Sequence, residues 1–445
     1  MDFYRQVFLR KVSENMRKKD ESPLFEAVSE YYEKNTSDAQ NYFSRYEAIK
    51  ERITFYKNKV MSDLPNYLID FELRISSAGA KVIYAEDAAH AAEEVKSIIG
   101  DSSKVFISRS DILDELNLYR ALKGKGVKLS RIGVGEFPYS ILSETTQKLL
   151  RRLSGELNME EMPNDTETVI SVYKRKLLNE MFSDSIAITG ADFLVSDSGS
   201  VVMVENDGVR NMLSSFCRKQ IVLAGIDSLI PSFNELEYFT SMLSAHAYGC
   251  PHAWNQLIIN GPRKTGEIDG PEELYVVLVD NGRTGILKKA FQRSVLNCIH
   301  CQACTALCPV FKYVNAFDGT PLVGPLNCIT DPIKNGFQES GFLSFACTLC
   351  GKCSQICPSG INFQELILYN RKESVENDAV FSIRRKQMKI LKRMLLKQKS
   401  LHSAYNRFVL KFDFKKDFGQ QKEFPDFSQK SFRMLWLERH KETEG

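Results

Sequence analysis

Cysteine placement constrains this chain more than any other feature. Cys298, Cys301, Cys304 and Cys308 precede Pro309, and Cys347, Cys350, Cys353 and Cys357 precede Pro358, so the pattern C-x-x-C-x-x-C-x-x-x-C-P occurs twice. That spacing is how bacterial-type ferredoxins hold 4Fe–4S clusters: three thiolates from a tight loop reach three irons of one cube. In two-cluster domains the fourth cysteine, at the start of a helix, ligates the other cube. The pattern predicts Cys298, Cys301, Cys304 and Cys357 for one cluster, and Cys347, Cys350, Cys353 and Cys308 for the second. A structural zinc site uses two separated pairs in a tetrahedron and has no use for a third cysteine at the same interval. Disulfides fit less well, because the sequence shows no export signal and a reducing compartment disfavours them. Cys217, Cys250 and Cys328 lack partner spacing and read as small core or loop residues.

A chain of 445 residues can bury more than one core, and 43% hydrophobic with 26% charged content is ordinary for a globular protein. A net charge of +3 gives no reason to expect a nucleic-acid partner. No apolar run is long enough to span a bilayer, and the mixed-charge opening residues read as a helical arm, so the cytoplasm is the expected location. One segment departs from charge balance: residues 379–412 hold ten Arg or Lys and no acid, with Met388, Leu391 and Leu395 at helical spacing. A basic amphipathic helix can lie on the inner face of a membrane or dock on a partner, or simply cover its own protein.

Periodicity places the rest. Residues 1 to about 75 read as helical. KVIYA (81–85) is a strand, and Asp87 caps a helix through Ile99 that Gly100 closes. Residues 104–107 form the next strand, Ser110 opens a helix ending near Gly124 and Gly126, and residues 127–132 extend again. Strand and helix alternating at this interval predict a parallel sheet. The stretch 137–180 reads as a polar, mostly helical excursion. Residues 191–195 and 201–204 flank a hairpin turn at 196–200, QIVLA (220–224) is a buried strand, and Ser232 with Glu235 predicts a capping box. LYVVLV (274–279) is the last strand, and a helical linker then leads to the cysteines. The expected domains are 1–70, a helical arm; 71–289, α/β; 290–372, the two-cluster domain; and 373–445, a basic helical tail. The long connection between the cysteine runs is expected to pack on the α/β domain.

Three segments carry a family resemblance: TGADFLVSDSGSVVMVENDGVRNML (189–213), VLAGIDSLIPSFNELE (222–237) and GPRKTGEIDGPEELYVVLVDNGR (261–283). They resemble the lactate-utilisation (LUD) domain, and FELRISSAGAKVIYAEDAAHAAEEV (71–95) continues the match. With CIHCQACTALCPVF and ACTLCGKCSQICP following, and FPDFSQKSFRMLW (424–436) near the end, the chain is similar to the lactate-utilisation protein B family over most of residues 50–440. The family's usual segment is replaced between Glu136 and Ile186, and Cys347 stands where the family often has Ser, which completes the second motif. The resemblance implies an α/β fold similar to the ribose-phosphate isomerase and CoA-transferase group, followed by a helical ferredoxin-type domain. It implies an electron-transfer subunit in L-lactate oxidation to pyruvate, acting with a cysteine-rich partner and a second LUD-domain protein. Glycolate or another 2-hydroxy acid, a quinone-linked dehydrogenase, and a redox-sensing ligand-binding protein are the alternatives.

Lactate oxidation releases two electrons, whereas a 4Fe–4S cube carries one, so a flavin or nicotinamide normally accepts the hydride. No G-x-G-x-x-G after a strand and no P-loop occurs here; Gly133-x-Gly135 is too short. For a small carboxylate, the candidate residues are Ser198, Gly199 and Ser200 in the hairpin turn, then Asn206, Arg210 and Arg283, because Arg is a natural bidentate clamp. Asp192 is ambiguous, and His300, between cluster ligands, reads as a solvated side chain.

Overall fold

The computed structural model describes residues 22–100, 104–132, 185–252, 255–311, 324–377 and 432–441, with scattered positions at 171–179, 389–393 and 430. Residues through Lys372 form one compact unit, and those from Glu373 form a second.

Ten strands are described: β1 (Lys81–Ala85), β2 (Val105–Ile107), β3 (Leu129–Arg131), β4 (Ile186–Gly190), β5 (Phe193–Val195), β6 (Ser200–Glu205), β7 (Lys219–Gly225), β8 (Leu229–Ile230), β9 (Asn255–Ile259) and β10 (Glu273–Val279). Six of them make a sheet of order β1-β10-β7-β4-β2-β3, and every pairing in it is parallel. Its central strands are buried along almost their whole length, because a parallel sheet is covered on both faces. Ile221 and Leu223 point to one side, and Val222 and Ala224 to the other, as the two-residue period requires. On the first side lie the helix Ala88–Ile99 and the short helices after β2.

The opposite face meets the helix Leu64–Ser77, a second sheet of order β8-β5-β6-β9, and residues of the cysteine region including Leu296, Ile329 and Ile361. The far side of that second sheet packs Phe193 and Val202 against Phe239 of the helix Leu236–Tyr248, with helices Ser22–Tyr42 and Tyr46–Ser62 beyond. Burying Phe239 fully is worth about 2–3 kcal/mol. The described part of the expected arm, residues 22–70, is thus part of the core that carries the cysteines. Ser29 Oγ donates to the carbonyl of Ala306 (3.0 Å), and Glu33 pairs with Lys352 (2.9 Å).

Most local expectations hold. Asp87 accepts from the amide of His90 (2.8 Å), and Gly100 ends that helix at φ 59°. The hairpin joins β5 and β6 antiparallel, with Gly199 at φ 67°. The connection between the motifs packs on the α/β core, with Ile329 and Leu343 in one cluster with Val276 and Leu278.

Three details differ. The expected helix after Ser110 is two, Asp111–Glu115 and Leu118–Gly124, because Asn117 takes a left-handed conformation between them. Ser232 and Glu235 bond each other's side chains instead of backbone amides, and a 3-10 turn, Phe233–Glu235, precedes the α-helix. Residues 186–195 are two strands in two sheets, a break that apolar alternation does not reveal. The excursion at 137–180 and the basic segment at 379–412 lie almost wholly outside the described residues.

Candidate iron–sulfur centres and the charged array beside them

The two cysteine loops share one backbone. The third and fifth positions of each run are left-handed: His300 (φ 55°) and Gln302 (φ 62°) in the first, Leu349 (φ 58°) and Gly351 (φ 82°) in the second. Three of these four are not glycine, and such a residue costs roughly 1–2 kcal/mol in that region. The return is geometric, because alternating handedness turns successive amides to one side. The amide of His300 donates to Cys298 Sγ (3.3 Å), and the amide of Leu349 to Cys347 Sγ (3.2 Å). At Gly351 a β-carbon would stand 2.9 Å from the amide of Gln364, whose Nε2 donates to the carbonyl of Leu349 (2.7 Å) and pins the second loop. Short helices, Ala303–Ala306 and Lys352–Ile356, carry each run to its final cysteine and proline.

The raised thiols show which cysteines lie near one another. Burial is the main cause of every raised thiol, and Cys301 and Cys353 are each pushed up to about 12. Beyond burial, Cys298 is raised by Cys301 and Cys357, and Cys304 by Cys298, Cys301 and Cys357 and, least, by Cys353 of the second run. Cys308 is raised instead by Cys347 and Cys350, and Cys353 by Cys308, Cys347 and Cys350. The last cysteine of each run therefore lies among the first three of the other. Cys308, Cys347, Cys350 and Cys353 line one cleft that is partly open to solvent.

The residues present suit a 4Fe–4S group in three respects. The donors are thiols in fours, backbone amides already face sulfur, and a buried phenol beside the first set, Tyr32, has a hydroxyl with no partner among the described residues. Among the described residues no three His, Cys, Asp or Glu side chains converge as they would on a single metal ion. A cube spreads its thiolates over four separate irons.

Cys328, read from the sequence as a core or loop residue, lines the same cleft as the second set. It is raised by burial and then by Cys308 and Cys347. Its carbonyl accepts from Ser344 Oγ (3.0 Å), which helps fix its position. No spacing rule marks it, because it comes from the helix Asn327–Lys334 between the runs.

The first loop sits over the carboxyl ends of the parallel strands, the edge where open α/β sheets bind ligands. There Arg283, after β10, donates to both carboxylate oxygens of Glu115 (2.9 and 2.8 Å) and to Asp227 after β7. Lys334 also donates to Glu115 (2.8 Å), and buried Lys57 to the carbonyl of Asp227. Gly225 is glycine because a β-carbon there would stand 2.3 Å from Asp227 Oδ1 and 2.7 Å from Arg283 Nε.

Burial works against ionisation of both acids, but Arg283 with Lys334 at Glu115, and Arg283 with His300 and Lys57 at Asp227, together outweigh it and hold both well below the usual carboxylate range. His300 corrects the sequence reading. Its side chain is 24% exposed and lies 3.7 Å from Asp227 and 3.9 Å from Asp111. Gln302 of the same loop donates to Asp111 (2.6 Å). Burial, opposed by His300, raises Asp111 to about 6.

The expected carboxylate clamp is not assembled. The turn at 198–200 packs on the helix Leu64–Ser77, where a Gly199 β-carbon would lie 2.6 Å from the amide nitrogen of Ile75; Ser198 and Ser200 bond each other (2.7 Å). Asn206 is exposed beyond the other end of β6. Arg210 is 1% exposed and committed to Asp192 (3.0 Å), Glu205 and two backbone carbonyls. Arg283 belongs to the array just described.

Comparison with known proteins agrees with this architecture. The chain matches the LUD domain over residues 70–279 and the 4Fe-4S dicluster domain over residues 294–361. Its class is a LUD α/β domain joined to an iron–sulfur electron-transport module. It is 31% identical to lactate utilization protein B of Bacillus velezensis over 72% of this chain and 71% of that one, and 30% identical to the Bacillus subtilis protein of that name over 76% and 72%. An Escherichia coli protein described as the uncharacterized electron transport protein YkgF is 26% identical over 90% of this chain and 89% of its own length. The chain belongs to the lactate utilization protein B family.

Proposed function

We propose that this chain is the iron–sulfur electron-transfer subunit of a complex that oxidises L-lactate to pyruvate. Its ligand sets are Cys298, Cys301, Cys304 and Cys357 for one 4Fe–4S cluster, and Cys347, Cys350, Cys353 and Cys308 for the other. The observation that supports the reading is the pair of loops with one backbone, with the last thiol of each run near thiols of the other.

When bound, each cluster supplies capacity for one electron. L-lactate yields pyruvate, two protons and two electrons, so the hydride acceptor belongs to a partner and this chain handles electrons singly. Its own residues hold the centres in place. The amides of the left-handed loops face sulfur, Gln302 and His300 fasten the first loop to the sheet through Asp111 and Asp227, and Gln364 fastens the second. The names of the relatives support lactate utilisation as the process. The partners in this reading are a cysteine-rich iron–sulfur protein and a second LUD-domain protein. The basic segment at 379–412 would add contact with an anionic membrane face; binding to anionic vesicles at low salt tests it, and no helix among the described residues is long and apolar enough to cross a membrane.

The deciding experiment is anaerobic purification with iron and acid-labile sulfide analysis, followed by EPR of the reduced chain. Two interacting S = 1/2 centres are expected, reduced by lactate only when both partners are present. Zinc, or iron for a single cube, sinks the cluster assignment. Reduction by lactate with this chain alone sinks the division of labour.

A further inference from the structure

Tyr32 occupies a position that packing alone does not explain. It lies on the helix Ser22–Tyr42, is 0% exposed, and its hydroxyl has no hydrogen-bond partner among the described residues. A buried hydroxyl left unpaired costs roughly 1–3 kcal/mol, and native cores seldom leave one without an acceptor.

The surroundings say where the acceptor lies. Ser29, one helical turn earlier and so on the same face, bonds the carbonyl of Ala306 in the helix that follows the first cysteine loop. Tyr32 shares its apolar cluster with Ile299, Cys301, Ala303 and Leu307. Burial raises its phenol, and after burial the largest influence is Cys301, ahead of Tyr248 and Asp111. Tyr46 is the instructive contrast. It too is influenced by Cys301 and Cys357, but its hydroxyl is taken by His246 Nε2 at 3.0 Å. Tyr31, next in sequence, is 42% exposed.

We propose that Tyr32 donates a hydrogen bond to a sulfur of the first cluster and thereby raises that cluster's midpoint potential. The inference rests on the cluster assignment above. Its physics is that reduction adds negative charge to the sulfurs, so a fixed donor favours the reduced state. Tyr32 is a positioning residue and not an iron ligand.

The test uses the full chain, purified without oxygen, with iron and sulfide measured before an EPR-monitored redox titration. Tyr32→Phe is expected to keep the metal content of two cubes and to shift one midpoint to more negative potential while leaving the other in place. Replacing Tyr32 by 3-fluorotyrosine, a stronger donor of nearly unchanged shape, is expected to shift the same midpoint the other way, and it decides the matter should Tyr32→Phe lose iron. Resonance Raman spectra of the unaltered chain in H2O and D2O should show an isotope shift in Fe–S modes that Tyr32→Phe diminishes. Intact metal content with both midpoints unmoved in the two variants overturns the role of Tyr32 alone. An unaltered chain lacking two cubes of iron and sulfide overturns the cluster assignment and this inference with it.

Discussion

The two cysteine loops have the same spacing and the same left-handed residues but opposite surroundings. The first lies beneath the N-terminal helices and over the carboxyl edge of the parallel sheet, held by Asp111 and Asp227 through Gln302 and His300. The second borders a cleft that reaches solvent; Cys350 is exposed, and a further thiol, Cys328, lines the same cleft. Local sequence dictates how a loop presents sulfur. The elements packed around it dictate water access and the charges nearby, which are levers on redox potential.

That contrast can be broken most directly at the ligands. Cys304→Ala and Cys353→Ala should each lose one cluster, a fall of about half in iron and sulfide, with different EPR signals surviving. If both variants lose the same signal, the two sets are not separate. Chelation should sharpen the same contrast, since an iron chelator is expected to strip the cluster served by exposed Cys350 first.

The charged array comes next. Arg283→Met leaves Glu115 and Asp227 buried without their main counter-charge, and removing one partner of a buried pair costs about 3–5 kcal/mol. Urea denaturation should show a loss of that order; a change under 1 kcal/mol would mean that Lys334 and Lys57 suffice.

Titration supplies a smaller effect of defined sign. Asp111 has its folded pKa raised from 3.8 to about 6, so its contribution is fully present below pH 3.8 and is lost as pH rises through 6. Glu115 and Asp227 are depressed, so their contributions are present above the unfolded carboxylate range and are lost only in more acidic solution. Between pH 4 and 6 Asp111 should therefore lower stability with rising pH by up to about 3 kcal/mol. Asp111→Asn should flatten that slope; an unchanged slope assigns it elsewhere. The smallest expected effect is at Cys328. Cys328→Ala should keep both clusters and cost about 1 kcal/mol by thermal denaturation, the scale of one small buried group. Loss of iron there would make it a ligand.

Legibility in the sequence followed the range of the interaction. The parallel strands, the Asp87 cap and the hairpin were readable because a strand's period and a cap's bond span only a few residues. The proposed exchange of final cysteines also comes from the motif, which itself carries that rule. Arg210 and Arg283 misled because an arginine after a strand looks the same in sequence whether it awaits a substrate or a protein carboxylate. Only the fold brings Glu115 and Asp227 to Arg283, across 168 and 56 residues of chain.

From sequence alone came the cysteine pattern behind the proposed ligand sets, the α/β order and the family, because covalent spacing and side-chain chemistry are local properties. Tertiary structure alone decided that the N-terminal helices belong to the core around the first loop, that His300 is held between two acids, and that Tyr32 and Cys328 stand beside the thiols. Those four facts are contacts between distant segments, and no short-range pattern encodes which buried surfaces will meet.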